Sequence, residues 1–171
     1  MQSVTRSDAS LRAALAFIAA IVLSAAGDLP AGVADLKRPL PIPYDTKADA
    51  KAEIEQALIR AKADGKRVMV DFGGNWCTDC RVLAAVIALP SAARELDARF
   101  EWVNVDVGRY DRNMDVPQSY GLKLTGVPSL VVLNAEGKPV SDGVITDLTD
   151  ARGMTPASVL DTLLRHAGPK S

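Results

Sequence analysis

The sequence predicts an α/β fold in which a central mixed β-sheet is flanked by helices. Three observations support this prediction. Strand-like and helix-like apolar patterns alternate, a glycine turn separates a buried strand from a helix that begins at a cysteine pair, and a hairpin and a helix close the chain. The 171 residues suit one domain, and a hydrophobic content of 48% is too high for a disordered chain. The net charge of −1 gives no field that would favour nucleic acid or an anionic membrane.

Residues 1–34 are predicted to be a secretory signal peptide. A short basic region precedes an uncharged apolar run over residues 13–26, and small residues follow it. Such a run spans roughly 21 Å as a helix, less than the ~30 Å hydrocarbon core of a membrane. Cleavage after Ala26 and cleavage after Ala34 both fit, and an uncleaved signal that anchors the chain is the alternative. We therefore expect export, which in a bacterial cell leads to the periplasm.

A proline-rich linker is predicted over residues 35–45. Pro39, Pro41 and Pro43 alternate with apolar residues there, so the segment is expected to be an extended spacer. The folded domain is predicted over residues 46–168.

The first half of that domain has clear periodicity. Apolar residues recur every three or four positions and predict a helix that starts at Asp45 or Thr46 and ends at Gly65, a typical helix stop. The apolar run over residues 67–72 predicts a buried strand, because it is short and bounded by glycine. The next helix is predicted from the cysteine pair to about Leu89, where a proline follows.

The second half adds a short helix, three strands and a final helix. Ser91 can cap the short helix, and residues 100–107 alternate apolar and polar side chains as a strand does. A four-residue turn joins two further strands over residues 129–133 and 140–145. A proline at the first turn opens the last helix over residues 156–166.

The only two cysteines, Cys77 and Cys80, form a C-x-x-C motif at the predicted start of a helix. Two cysteines are too few for a disulfide scaffold or an all-cysteine zinc site, and the single histidine, His166, is distant in sequence. A thiol at a helix N-terminus meets unpaired N–H groups and the helix dipole, which favour the thiolate. Cys77 is therefore the predicted attacking thiol and Cys80 the resolving one. We expect no metal and no organic cofactor beyond this redox-active disulfide.

Four motifs together resemble the thioredoxin superfamily. They are VDF at residues 70–72, WC at Trp76 and Cys77, the second cysteine three residues later, and GVP at residues 126–128. Their spacing is similar to that of the periplasmic thiol:disulfide interchange domains in this superfamily. The resemblance covers most of the predicted domain and implies a thioredoxin-like fold.

The resemblance also implies roles for residues around the two thiols. A cis peptide bond between Val127 and Pro128 would face the cysteines, and the Val127 backbone would pair with an extended substrate. Trp76 would contribute to the same docking surface. Asp71 falls where the family has a buried carboxylate, which would accept the proton of Cys80.

The sequence departs from thioredoxin itself at three places, the first being Gly73 and Gly74, which replace bulkier residues before the motif. Thr78 and Asp79 stand between the cysteines, where they tune the thiols. The charge of Asp79 is expected to oppose the thiolate and destabilise the reduced form, which favours a reductase or isomerase over an oxidase. Residues 108–121 are longer than the corresponding thioredoxin segment. A solvated insertion is the favoured interpretation, and a rim that contacts partners is the alternative.

These features predict an exported, monomeric thiol:disulfide oxidoreductase that acts on protein thiols and disulfides. Its electrons would come from a dithiol protein, for example one in the inner membrane. The alternative is a non-catalytic thioredoxin-fold module, either a chaperone or a metal-delivery protein, that binds client cysteines.

Overall fold

A computed structural model describes residues 29–167 of the chain. Most of the predicted signal peptide and the last residue of the predicted domain lie outside the described residues. Within residues 29–167, no helix combines the length and the apolar character needed to cross a membrane.

The described chain has four strands, β1 (Arg67–Gly73), β2 (Phe100–Asp106), β3 (Ser129–Leu133) and β4 (Pro139–Ile145). They form one mixed sheet in the order β2–β1–β3–β4. Strand β1 pairs in parallel with β2. On its other side β1 pairs antiparallel with β3, which pairs antiparallel with β4. The parallel pair requires a crossover, and helices supply it. The predicted α/β class with a central mixed sheet is confirmed.

Helices lie on both faces of this sheet. The α-helices of residues 29–167 are α1 (Ala50–Asp64), α2 (Thr78–Ile87), α3 (Pro90–Asp97), α4 (Asp115–Ser119) and α5 (Pro156–Arg165). Helix α1 packs against β1 and β2, whereas α2 packs against α5 and against a 3-10 helix over Asp147–Gly153. Because side chains alternate along a strand, Val70 and Phe72 of β1 join one apolar cluster and Met69 joins the other. The same alternation gives Asp71 and Gly73 a common face of β1, at the end where the cysteine helix begins.

Capping sets the helix bounds more sharply than apolar periodicity does. Helix α1 begins at Ala50, four or five residues later than predicted, because the Asp49 side chain accepts the first free N–H groups. It ends as predicted at Gly65, which adopts the left-handed conformation with φ 68°. The predicted cap of α3 is wrong: the helix begins at Pro90, and the Ser91 hydroxyl is buried without a hydrogen-bond partner among the described residues.

The predicted spacer is instead part of the folded domain. Within residues 36–46, called the strap below, every fourth side chain is buried, namely those of Leu36, Leu40 and Tyr44. The Arg81 guanidinium donates to two backbone carbonyl groups of the strap at 2.6 and 2.9 Å. The spacing of the apolar residues, which the proline pattern obscures, explains why the strap packs against the domain.

Candidate redox site

The two thiols lie at the N-terminus of α2, directly after β1. Cys77 is the N-cap of this helix, and its sulfur accepts a hydrogen bond from the backbone N–H of Cys80 at 3.2 Å. A backbone hydrogen bond from Cys77 to the Gly74 carbonyl at 3.0 Å closes the turn that leads there. Both cysteines are free thiols, Cys77 with 6% of its surface exposed and Cys80 with none. The thiol nearer to solvent is therefore the one predicted to attack.

Their environments drive the pKa values of the two thiols apart. Hydrogen bonding from the Cys80 thiol lowers the pKa of Cys77 to about 7; burial opposes this shift, and the Cys80 backbone N–H supports it. The same contact with Cys77, together with burial and the charge of Asp71, raises the pKa of Cys80 far above its usual value. Negative charge is thus confined to Cys77, and Cys80 stays protonated until a base removes its proton.

Asp71 lies within β1, is only 2% exposed, and occupies the interior side of the dithiol. Burial raises the pKa of Asp71 to about 7, although a hydrogen bond from Tyr44 opposes the shift. A carboxyl group with this pKa exchanges protons readily near neutral pH. The family resemblance implies such a role for Asp71, and its burial and its electrostatic effect on Cys80 are consistent with that role.

The loop before β3 lies against the attacking thiol. The Cys77 thiol donates a hydrogen bond to the Val127 carbonyl at 3.4 Å, and the peptide bond between Val127 and Pro128 is cis. A 2.8 Å hydrogen bond from the Ser129 hydroxyl to the Gly126 carbonyl ties the loop to the start of β3. The chain thus brings the GVP motif and the cysteine pair together, as the resemblance implied.

Trp76 is the exposed aromatic residue beside the dithiol. It retains 43% exposure, and its indole N–H donates to the Gly108 carbonyl at 2.6 Å. The Arg109 guanidinium lies 4.9 Å from its ring centre, and the Tyr110 ring meets it edge-on at 6.3 Å. Residues 108–110 thus form a rim along Trp76, and Arg109 and Tyr110 remain exposed there, which agrees with the solvated interpretation of this part of the segment.

The two residues between the cysteines have different surroundings. Thr78 is exposed, whereas Asp79 is buried and accepts a hydrogen bond from the Arg152 backbone at 2.9 Å. The Arg152 guanidinium lies 3.2 Å from the second carboxylate oxygen of Asp79. The charge of Asp79 raises the pKa of Cys77, but its effect is smaller than the effects of the Cys80 hydrogen bonds and of burial. The expected sign of the Asp79 effect is correct.

Sequence analysis missed Tyr44 and Arg152, because each reaches the site from a distant segment. Tyr44 had one local signal, its place four residues after Leu40 in the apolar pattern of the strap. Arg152 had none, since the 3-10 helix that carries it was not predicted. Among residues 29–167, no group of three or more His, Cys, Asp or Glu side chains could hold a metal ion.

The fold and the site together define a class of protein. A thiol of lowered pKa that keeps slight exposure, a fully buried second thiol and a buried carboxyl group near them form a dithiol site for thiol:disulfide exchange. A family described as thioredoxin-like matches residues 49–135, about half of the chain. The chain belongs to the thioredoxin-like family, and it has the site of a thiol:disulfide oxidoreductase.

Individual relatives agree with this assignment. The crystal structure of disulphide isomerase from Xylella fastidiosa Temecula1 is 35% identical, with a TM-score of 0.69 over 74% of this chain and 97% of that one. The thiol:disulfide interchange protein DsbD of Vibrio cholerae is 30% identical over 95 residues, which are 56% of this chain and 16% of DsbD. Thioredoxin of Pseudomonas aeruginosa is 33% identical over 81 residues, 47% of this chain and 66% of that protein. The chain therefore spans only a small part of the DsbD relative's length.

Proposed function

We propose that the protein is an exported thiol:disulfide oxidoreductase that reduces or isomerises disulfide bonds of client proteins. The observation that carries this proposal is the contrast between the two thiols, with the pKa of Cys77 lowered to about 7 and that of Cys80 raised. A thiol with a pKa of ~7 is typical of thioredoxin-like donors, whereas strongly oxidising proteins have values of ~3.5. This value supports the reducing direction.

The reaction takes two exchange steps. The Cys77 thiolate attacks a client disulfide, a mixed disulfide forms, and the first client sulfur leaves as a thiolate. Cys80 then transfers its proton to Asp71 and attacks the Cys77 sulfur. The Cys77–Cys80 disulfide forms, the second client sulfur leaves with the electron pair, and the client is released as a dithiol.

Client docking is proposed to use the surface around the attacking sulfur. The backbone at Val127 and Pro128 would pair with an extended client segment, and the exposed ring of Trp76 would cover one side of it. Thr78 and Asp79 would tune the thiols from within the motif. The closeness of the Val127 carbonyl to the Cys77 sulfur, 3.4 Å, supports this arrangement.

The partner that returns electrons is proposed to be a dithiol protein, with the inner membrane as its location. The DsbD relatives are named as interchange proteins, which supports a place in such an exchange chain. We propose that the protein works in the periplasm as a monomer, with its own disulfide in place of a metal or organic cofactor.

The packing of the first described residues bears on the signal peptide. Leu29 and Val33 pack against the same apolar cluster as Leu36. Cleavage after Ala34 would remove two of these contacts, whereas cleavage after Ala26 would keep them. We therefore propose processing at Ala26, to be tested by the intact mass of the exported protein.

The activity is tested with a protein disulfide as substrate. With a small dithiol as electron source, the purified protein is expected to accelerate insulin reduction, and Cys77→Ser is expected to abolish the effect. If the Cys77–Cys80 pair is intact and the protein still does not accelerate insulin reduction, the non-catalytic chaperone or metal-delivery alternative is favoured. A reduction potential of about −270 mV would agree with a donor, and one of about −120 mV would reverse the proposed direction.

The roles of the two thiols are tested by trapping. Cys80→Ser leaves the attacking thiol but removes the resolving one, so mixed disulfides with clients should accumulate. Cys77→Ser is the matched control and should trap none. Trapping by Cys77→Ser in place of Cys80→Ser would mean that the two roles are exchanged.

A further inference from the structure

A tyrosine from the strap lies behind the dithiol. Tyr44 is 3% exposed, and its hydroxyl donates a 2.7 Å hydrogen bond to Oδ2 of Asp71. The other carboxylate oxygen, Oδ1, is buried and has no hydrogen-bond partner among the described residues. One oxygen of Asp71 is thus held, and the other remains available as an acceptor.

Gly73 provides the space that Tyr44 occupies. A Cβ on Gly73 would contact the Tyr44 hydroxyl, would lie 2.5 Å from the ring carbon that carries it, and would lie 2.8 Å from the Cys80 sulfur. The tyrosine hydroxyl and the resolving thiol therefore meet at one point beside β1. Asp71 shares this face of the strand, since it lies two residues before Gly73.

The backbone of Tyr44 is fastened to the loop that carries the attacking thiol. Its N–H donates to the Asn75 side chain at 3.1 Å, and the Asn75 side chain donates to the Tyr44 carbonyl at 2.7 Å. Asn75 lies two residues before Cys77. The position of the tyrosine is thereby coupled to the start of α2, and the ring has little freedom to move away.

We propose that Tyr44 is a positioning residue for the second exchange step, in which it holds Oδ2 of Asp71 and leaves Oδ1 free to take the Cys80 proton. This inference rests on the proposed function. In the step, the Cys80 S–H bond breaks and its proton passes to Oδ1. The Cys80 thiolate then attacks the Cys77 sulfur, the bond between Cys77 and the client sulfur breaks, and the client leaves as a thiolate. A small dithiol or a dithiol protein returns the two electrons.

The groups that interact electrostatically with Asp71 come from two elements. The strap contributes the Tyr44 hydroxyl, whose hydrogen bond lowers the pKa of Asp71. The start of α2 contributes Cys77, whose charge raises that pKa, and Cys80, whose own pKa the charge of Asp71 raises. The register partners of Asp71 on the neighbouring strands, Asn104 and Leu130, carry no charge. The Tyr44 hydrogen bond lowers the pKa of Asp71, and its loss would leave a smaller ionised fraction at neutral pH.

The test follows the two steps separately by stopped flow. The reduced protein is mixed with an aromatic disulfide whose thiolate absorbs visible light. The first thiolate released reports attack by Cys77, and the second reports resolution by Cys80. In Tyr44→Phe we expect an unchanged first phase and a second phase about fivefold slower at pH 7, with its pH midpoint about one unit higher.

Two further variants separate positioning from a structural effect. Tyr120→Phe removes the hydroxyl of a tyrosine that packs against the apolar cluster containing Tyr44, and should leave both phases unchanged. In Asp71→Asn the second phase should be slow already, and adding Tyr44→Phe should slow it no further. Additive slowing in the double variant would mean that Tyr44 does not act through Asp71, and would overturn the proposal.

Asn75→Ala gives a second measurement that leaves every ionisable group in place. We expect it to slow the second phase, because both hydrogen bonds between the Asn75 side chain and the Tyr44 backbone are lost. An unchanged second phase in Tyr44→Phe, or in Asn75→Ala if the former does not fold, overturns the inference. Insulin reduction by the wild-type protein decides the proposed function independently, since it does not depend on either variant.

Discussion

Burial of Asp71 makes the stability of the protein depend on pH in a definite direction. Burial raises the pKa of Asp71 from its usual 3.8 to about 7 in the folded protein. Between these values the folded state holds a proton that the unfolded state has released. The free energy of unfolding therefore falls by about 1.4 kcal/mol per pH unit, and by about 4 kcal/mol over the whole interval. This contribution is fully present below the unfolded pKa and is lost as the pH rises through about 7.

Asp71→Asn isolates this contribution, because asparagine has a similar shape and does not titrate. We would measure urea unfolding of both proteins from about pH 4 to about pH 8, in the oxidised state so that the thiols do not titrate. The variant should gain stability relative to the wild type as the pH rises, by up to about 4 kcal/mol at the upper end. The urea dependence should be equal in both proteins, since the surface exposed on unfolding does not change.

Two outcomes would refute this reasoning. Parallel profiles for the wild type and the variant would mean that Asp71 does not hold a raised pKa, and it would then be ionised throughout. A wild type that gains stability with pH relative to the variant would mean that the carboxylate is stabilised by its surroundings. Asp161→Asn, which changes an exposed carboxylate on α5, is the control for the loss of one acidic side chain.

Three further changes test the surroundings of the dithiol. Arg152→Met removes the cation beside the buried Asp79 carboxylate and should raise the pKa of Cys77 by a few tenths of a unit. The pKa is measured from the alkylation rate of Cys77 against pH, and an unchanged value would contradict the electrostatic account. Gly73→Ala should destabilise the protein by about 1–3 kcal/mol in urea, because its Cβ would lie 2.8 Å from the Cys80 sulfur, and a neutral result would mean that this space is not closely packed. Trp76→Phe loses a 2.6 Å hydrogen bond to the rim and should raise the KM for insulin roughly threefold, whereas an unchanged KM would exclude the rim from docking.

The parts of the site that sequence analysis predicted depend on local patterns. Strand β1 was predicted over residues 67–72, because an apolar run that ends at a glycine is a local signal. The observed strand extends one residue further. Cys77 begins α2 as expected, since a side chain that caps a helix acts on residues only three positions away. Interactions between residues that are close in sequence leave a pattern in the sequence itself, so they can be predicted from it.

The parts that sequence analysis missed depend on contacts between distant residues. Tyr44 and Asp71 are 27 positions apart, and the Arg152 backbone meets Asp79 across 73 positions. Asp79 was expected to oppose the thiolate, and only the fold reveals that the Arg152 guanidinium lies beside its carboxylate. The composition of residues 108–121 indicated a polar loop but carried no information on its contacts with Trp76.

Tyr44 influences Asp71 in two opposite ways, and this leads to a last prediction. Burial is the largest cause of the raised pKa of Asp71, so the Tyr44 ring raises that pKa insofar as it excludes water. The hydroxyl of the same residue donates a hydrogen bond that lowers it. Tyr44→Phe keeps the ring and loses the hydroxyl, so the pH midpoint of the second exchange phase should rise. Tyr44→Ala also admits water beside the carboxylate, so its midpoint should lie below that of Tyr44→Phe. A midpoint for Tyr44→Ala at or above that of Tyr44→Phe would mean that the strap does not keep water from Asp71.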